Sequence, residues 1–218
     1  MTGNRFRRFW AAATISAFGD RVSELALPLI AVVALDATPA QVGLLTAAIW
    51  TPNLLGLLIG SWVDRRTHRN RILIAADLLR AAVLLTLPVA HWLGVVTFTQ
   101  LIVVALVAGV GQVLFTAAYQ PFFVSLVTPE RYVDANSKLS LSRSASELAG
   151  PPIGGVLVQI LSAPGAILVD VVSFLASAVL LGRIRAAPAP PRERTALLAE
   201  IVDDRRVDGL VVVDAHVW

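Results

Sequence analysis

The sequence has no cysteine among its 218 residues, which excludes disulfides and thiolate metal sites. Its three histidines, His68, His91 and His216, fall outside the apolar stretches or at their edges. That leaves no buried serine–histidine pair or histidine–metal centre to propose. Neither G-x-S-x-G nor the phosphate-binding pattern G-x-x-x-x-G-K-S/T occurs. An intramembrane protease and an ATP-driven machine are disfavoured, and no enzyme, cofactor or metal is expected. Charge is scarce too: 15% of residues are Asp, Glu, Lys or Arg, against roughly a quarter in soluble domains.

Apolar residues take the place of that charge. They make up 56% of the chain, and the mean hydropathy is +0.74. The net charge of +3 comes from basic residues set between apolar segments, with no continuous basic face. This speaks against a nucleic-acid partner and for an orientation signal in a lipid bilayer.

About 20 apolar residues, at roughly 1.5 Å each, cross the hydrocarbon core. Six stretches qualify: 9–35, 41–63, 72–92, 95–127, 139–161 and 166–182. The first follows Arg5, Arg7 and Arg8, as a signal peptide would. It also carries Asp20, Arg21 and Glu24 and outruns a signal segment, so it reads as a retained span. Pro121 in the long fourth stretch marks a kink or an extension beyond the bilayer. The turns Asp36–Pro39, Leu93–Gly94 and Ser162–Gly165 contain no Lys or Arg. The other connections carry Arg65, Arg66, Arg69 and Arg71, then Arg131 and Lys138, then Arg183 and Arg185. The alternation places both termini on the cytoplasmic side of the cell (plasma or inner) membrane. From 186 to 194 the chain is proline-rich, and TALLAEIVDD, 195–204, suits a short amphipathic helix on the membrane surface.

Ionisable side chains within spans are costly, so they line an interior path or pair with each other. Asp20 and Glu24 share a helix face, and Arg21 reaches Glu24 three residues on. Asp77 and Arg80 are three apart, and Arg143 and Glu147 four apart. Asp170 lies in the outer part of the sixth stretch. Two readings stand side by side. One is a polar cavity whose carboxylates bind a cation or a proton. The other is local ion pairs, or groups near helix ends that snorkel to water. For Asp77, Arg80 and Arg143, within two or three turns of the cytoplasmic edge, both readings stand evenly. The first suits Asp20 and Glu24, near mid-span, with no basic partner expected beyond Arg21.

Two further segments are ordered beyond a generic membrane pattern. In the fifth stretch, Gly150-Pro151-Pro152-Ile153-Gly154-Gly155 combines bends with room for close helix approach. After the second stretch, GSWVDRRTHRNR sets Gly60 four residues before Asp64, with Arg65 and Arg69 following.

These segments resemble the signature motifs of the major facilitator superfamily of transporters. Gly60, Asp64, Arg65 and Arg69 fall on the loop motif between its second and third helices. Gly150, Pro151, Gly154 and Gly155 fall on the fifth-helix motif of proton-driven drug exporters, with Ser146 in place of its first glycine. FGD at 18–20, AADLLRA at 75–81 and VDANS at 133–137 resemble the macrolide and siderophore exporter branch. The resemblance implies two six-helix halves rocking about a central cavity. It also implies that Asp64 and the fifth-helix glycines face the other half. Two departures are visible. Only six spans are present, and the fourth stretch lacks the arginine of many drug exporters, holding Gln100, Gln112 and Gln120 instead.

The expectation is therefore an all-α membrane protein, six transmembrane helices forming the N-terminal half of that fold over 1–185. A cytoplasmic linker and tail follow over 186–218. RRVDGLVVVDAHVW, 205–218, resembles neither linker nor seventh span, so a truncated or frameshifted gene is expected. The expected function is export of a small amphipathic compound by proton-driven alternating access. The alternative is a non-transporting fragment, or a six-helix subunit that pairs with a separate second half or a second copy. Candidate substrate or coupling residues are Asp20, Arg21, Glu24, Asp77, Arg80, Arg143 and Glu147.

Overall fold

The computed structural model describes residues 2–184. The expected linker and tail, including the short amphipathic helix over 195–204, lie outside them. The described residues are all helix and short connections. α1 (Thr2–Leu35) leads through a tight turn to α2 (Pro39–Trp50), which Thr38 starts with a capping box to Gln41. A 3-10 turn (Thr51–Leu55) joins α2 to α3 (Gly56–Asp64), and Pro52 at its start removes an amide donor. That bend fits because Gly109 opposite has no side chain. A Cβ there would lie 2.7 Å from Pro52 Cγ. α4 (Arg69–Trp92) and α5 (Phe98–Leu126) follow, the latter capped by Thr97. α6 (Tyr132–Gly182) ends the described chain.

Four stretches are long and apolar enough to cross a membrane: Pro39–Asp64, Arg69–Trp92, Phe98–Leu126 and Pro129–Gly182. The six expected spans map onto these and α1 unevenly. α1 has the length but carries the charges of Arg5, Arg7, Arg8, Asp20, Arg21 and Glu24. The expected fifth and sixth stretches both lie in α6, and the expected four-residue turn between them is reduced to one residue. Ser162 leaves helical geometry at φ 64, ψ 165, and Pro164 falls two residues later, where a first turn tolerates proline.

Contacts with α1 show what Ser162 does. Trp10 Nε1 donates to Ser142 Oγ at 2.7 Å, and Arg8 Nη1 donates to the Arg183 carbonyl at 2.9 Å. On a straight helix, residues 142 and 183 stand about 60 Å apart. They meet residues two apart in α1, so α6 is a hairpin. Its first arm (132–161) runs parallel to α1 and its second (163–182) antiparallel.

Apolar side chains form two cores. One gathers Ile30, Leu45, Leu84, Leu101 and Ile167, and the other Phe9, Leu73, Phe122, Phe123 and Leu181. The outside is apolar as well, with Leu57, Leu54 and Leu148 at least 80% exposed, as suits a surface facing lipid. Between the two cores lies a polar layer.

Candidate functional site

The layer is built where α1, α4, α5 and the second arm of α6 cross. On α1, residues 16, 20 and 23 fall on one face. On the second arm, residues 170, 173 and 177 do the same. Arg80 of α4 is at the centre, 2% exposed. Its Nη1 donates to Asp20 Oδ1 at 3.0 Å and to Gln112 Oε1 of α5. Its Nη2 donates to Asp77 Oδ1 at 2.5 Å and to Ser16 Oγ at 3.4 Å. The Arg80 guanidinium carbon lies 4.1 Å from the Phe174 ring centroid and 5.0 Å from that of Phe115. Gly111 makes room for the arginine stem, since a Cβ there would lie 2.7 Å from Arg80 Cγ.

Asp170 forms the second part of the layer. It is fully buried. Ser23 Oγ donates to its Oδ2, and Ser173 Oγ lies 3.0 Å from its Oδ1. The carboxyl packs on the α1 backbone at Gly19, where a Cβ would come within 2.2 Å of Asp170 Oδ1 and 2.0 Å of Ser173 Oγ.

A cavity of about 530 Å³ opens on this layer. Asp20, Arg21, Glu24, Arg80, Arg143 and Asp170 all reach its wall. Phe115, Tyr119 and Trp50 add aromatic surface. On its rim, Arg21 bonds Glu24 at 2.7 Å and approaches Glu147 of the first α6 arm at 3.6 Å. Arg143 bonds Glu147 at 3.3 Å.

These positions modify the sequence expectations. The Asp77–Arg80, Arg21–Glu24 and Arg143–Glu147 spacings produce ion pairs. Arg80 and Asp77 do not snorkel, because Arg80 is drawn inward by acceptors on two other helices, α1 and α5. Asp20 has a basic partner besides Arg21, namely Arg80. Helix α5 lacks an arginine, and Gln112 instead serves the arginine that α4 supplies. Gly150 and Gly154 face α1 within this chain. A Cβ at Gly150 would lie 2.6 Å from Arg21 Cβ, and one at Gly154 3.1 Å from a Leu25 methyl. A Cβ at Gly155 would meet nothing within 4 Å among the described residues, and Pro151 is exposed. In the loop motif, Gly60 is also open, and Asp64 and Arg65 are exposed. Arg69 begins α4, and Asp64 has no ion pair among the described residues.

Asp170 stands outside the candidates that the sequence offers, as do Ser16, Ser23 and Ser173, and Gly19 enters there only within FGD. The signal was available: small polar residues at i, i+4, i+7 on one apolar helix and i, i+3, i+7 on another.

The sequence profile of the Major Facilitator Superfamily matches residues 9–213. An uncharacterized MFS-type transporter of Bacillus subtilis (strain 168), YfiS, is 28% identical over 197 residues. The match covers 88% of this chain and 46% of that protein. The chain thus spans about half the length of the curated relative it matches.

Proposed function

The chain belongs to the major facilitator superfamily, and from that premise we propose that it supplies the six-span N-terminal bundle of a proton-driven exporter of small amphipathic compounds. In this reading α1, α2 with α3, α4, α5 and the two arms of α6 each cross the cell membrane, with both termini cytoplasmic. The observation that carries the reading is the cavity of about 530 Å³. It lies within the roughly 300–1,000 Å³ of small-molecule sites. Its wall joins carboxylates to aromatic rings, which suits a compound with an apolar body and a polar or cationic group. Arg80 and Asp20 tie α4 to α1 beside it, and Asp20 keeps 27% of its side chain exposed. A ligand or proton at Asp20 competes with Arg80 for the same carboxylate, and that competition links the cavity to helix packing.

Expression in a pump-deficient bacterial host tests this. Dye retention falls with the intact chain and returns to the host level with Asp20→Asn. Unchanged retention, with the intact chain confirmed in the membrane, overturns transport by this chain alone.

A second reading is a subunit that works only with a further six-helix bundle. It is supported by the open surface at Gly155 and Asp64 among the described residues. Co-purification of a second six-helix protein or a second copy with the tagged chain separates it from the first.

A further inference from the structure

The polar layer holds three carboxylates and one guanidinium: Asp20, Asp77, Asp170 and Arg80. Arg80 is committed to Asp77 and Asp20. No Lys, Arg or His nitrogen forms a salt bridge with Asp170 among the described residues. With all three carboxylates ionised, the layer would hold two uncompensated negative charges between two apolar cores. Burying an unpaired carboxylate is prohibitive, and the group takes up a proton instead. Asp77 and Asp20 have a cation; among the described residues Asp170 has none.

The hydroxyl hydrogens point the same way. Ser173 has one hydroxyl hydrogen but two oxygen neighbours, the Asp170 carbonyl at 2.8 Å and Asp170 Oδ1 at 3.0 Å. A helical serine commonly gives its hydrogen to a carbonyl one turn back, and here that contact is the shorter. The contact to Oδ1 then needs a hydrogen from the carboxyl itself.

The geometry points to Asp170 as a proton-binding site, a carboxylic acid whose Oδ1–H donates to Ser173 Oγ and exchanges with water in the cavity. The charged group facing it from α1 is Asp20, and from α4 it is Arg80 with its partner Asp77. α5 contributes only the uncharged Gln112 to this layer. On the first arm of α6, Arg143 and Glu147 pair with each other at the rim. The cavity wall supplies the route for exchange. Calling this the coupling proton rests on the transport reading above; its presence does not.

Infrared spectroscopy of the full chain in nanodiscs tests the assignment. At neutral pH the expected spectrum contains a protonated-carboxyl band. Asp170→Asn removes it, while Asp20→Asn and Asp77→Asn retain it. Raising the pH bleaches it reversibly while the amide bands stay unchanged. Should Asp170→Asn not fold, Ser173→Ala serves, since loss of the acceptor on Oδ1 shifts the band. Absence of the band in the intact chain overturns the assignment, as does a band unmoved by Asp170→Asn or Ser173→Ala. A band that persists at every pH where the fold survives overturns exchange. None of these outcomes depends on transport. If the band behaves as expected and dye retention never changes, the transport reading alone fails.

Discussion

Arg80 and Asp20 lie 60 residues apart in the sequence and meet at 3.0 Å in the middle of the bundle. The pair joins α4 to α1, and the same guanidinium holds Asp77 and Gln112. Removing it leaves Asp77 buried without a cation, a loss of about 3–5 kcal/mol for breaking such a pair from one side. Arg80→Met therefore lowers the melting temperature of the purified protein in detergent. Arg80→Lys lowers it too, because one ammonium cannot span these acceptors and keep the contact with Phe174. Arg80→Met with Asp77→Leu recovers much of the loss. An Arg80→Met protein that melts like the parent contradicts this account.

The fifth-helix glycines separate by what they face. Gly150 abuts the start of the Arg21 side chain, where nothing flexible can yield, so Gly150→Ala forces helices apart at a cost of roughly 1–3 kcal/mol. Gly155 is open among the described residues, and Gly155→Ala gains roughly 0.5–1 kcal/mol of helix propensity. Thermal melts of the two variants should move in opposite directions. If Gly155→Ala also abolishes dye export without loss of stability, that surface packs on a second bundle.

Much of this arrangement is legible in the sequence. The helix limits follow from breakers such as Asp36–Pro39 and Leu93–Gly94, and the ion pairs within a helix follow from spacing. The Asp20–Arg80 bond is not legible, because no local pattern states which faces of α1 and α4 meet. Asp170 stands out as a buried acid, but its partners are not legible, because Gly19 and Ser23 on α1 converge on it only in the fold. Counting turns from the loop places Asp77 and Arg80 near the edge, since it ignores the pull of acceptors on neighbouring helices.

Ser162 holds the α6 hairpin in a backbone region that glycine adopts freely. A non-glycine residue held there costs on the order of 1–3 kcal/mol. Ser162→Gly relieves part of that strain, offset by the greater freedom of glycine in the unfolded chain. The expected result is a melting temperature at or above the parent's. Ser162→Val, branched at Cβ, lowers it. A fall with glycine as large as that with valine would mean that the serine side chain, not the backbone, sets the turn.

The hairpin also decides how many times the chain crosses the bilayer. With no cysteine in the sequence, single cysteines are introduced without background. Ala40, Leu93 and Ser162 lie at one end of the helices, Thr67 and Glu130 at the other, and all five are exposed or in turns. Six crossings place the first three outside and the last two inside. A membrane-impermeant maleimide added to intact cells then labels Ala40→Cys, Leu93→Cys and Ser162→Cys. It reaches Thr67→Cys and Glu130→Cys only after the membrane is opened. An α1 lying on the surface would not run alongside the first arm of α6 from Trp10–Ser142 through Arg21–Gly150 to Leu25–Gly154 as it does. Labelling of Ser162→Cys from the same side as Thr67→Cys would break the hairpin and the six-span reading together.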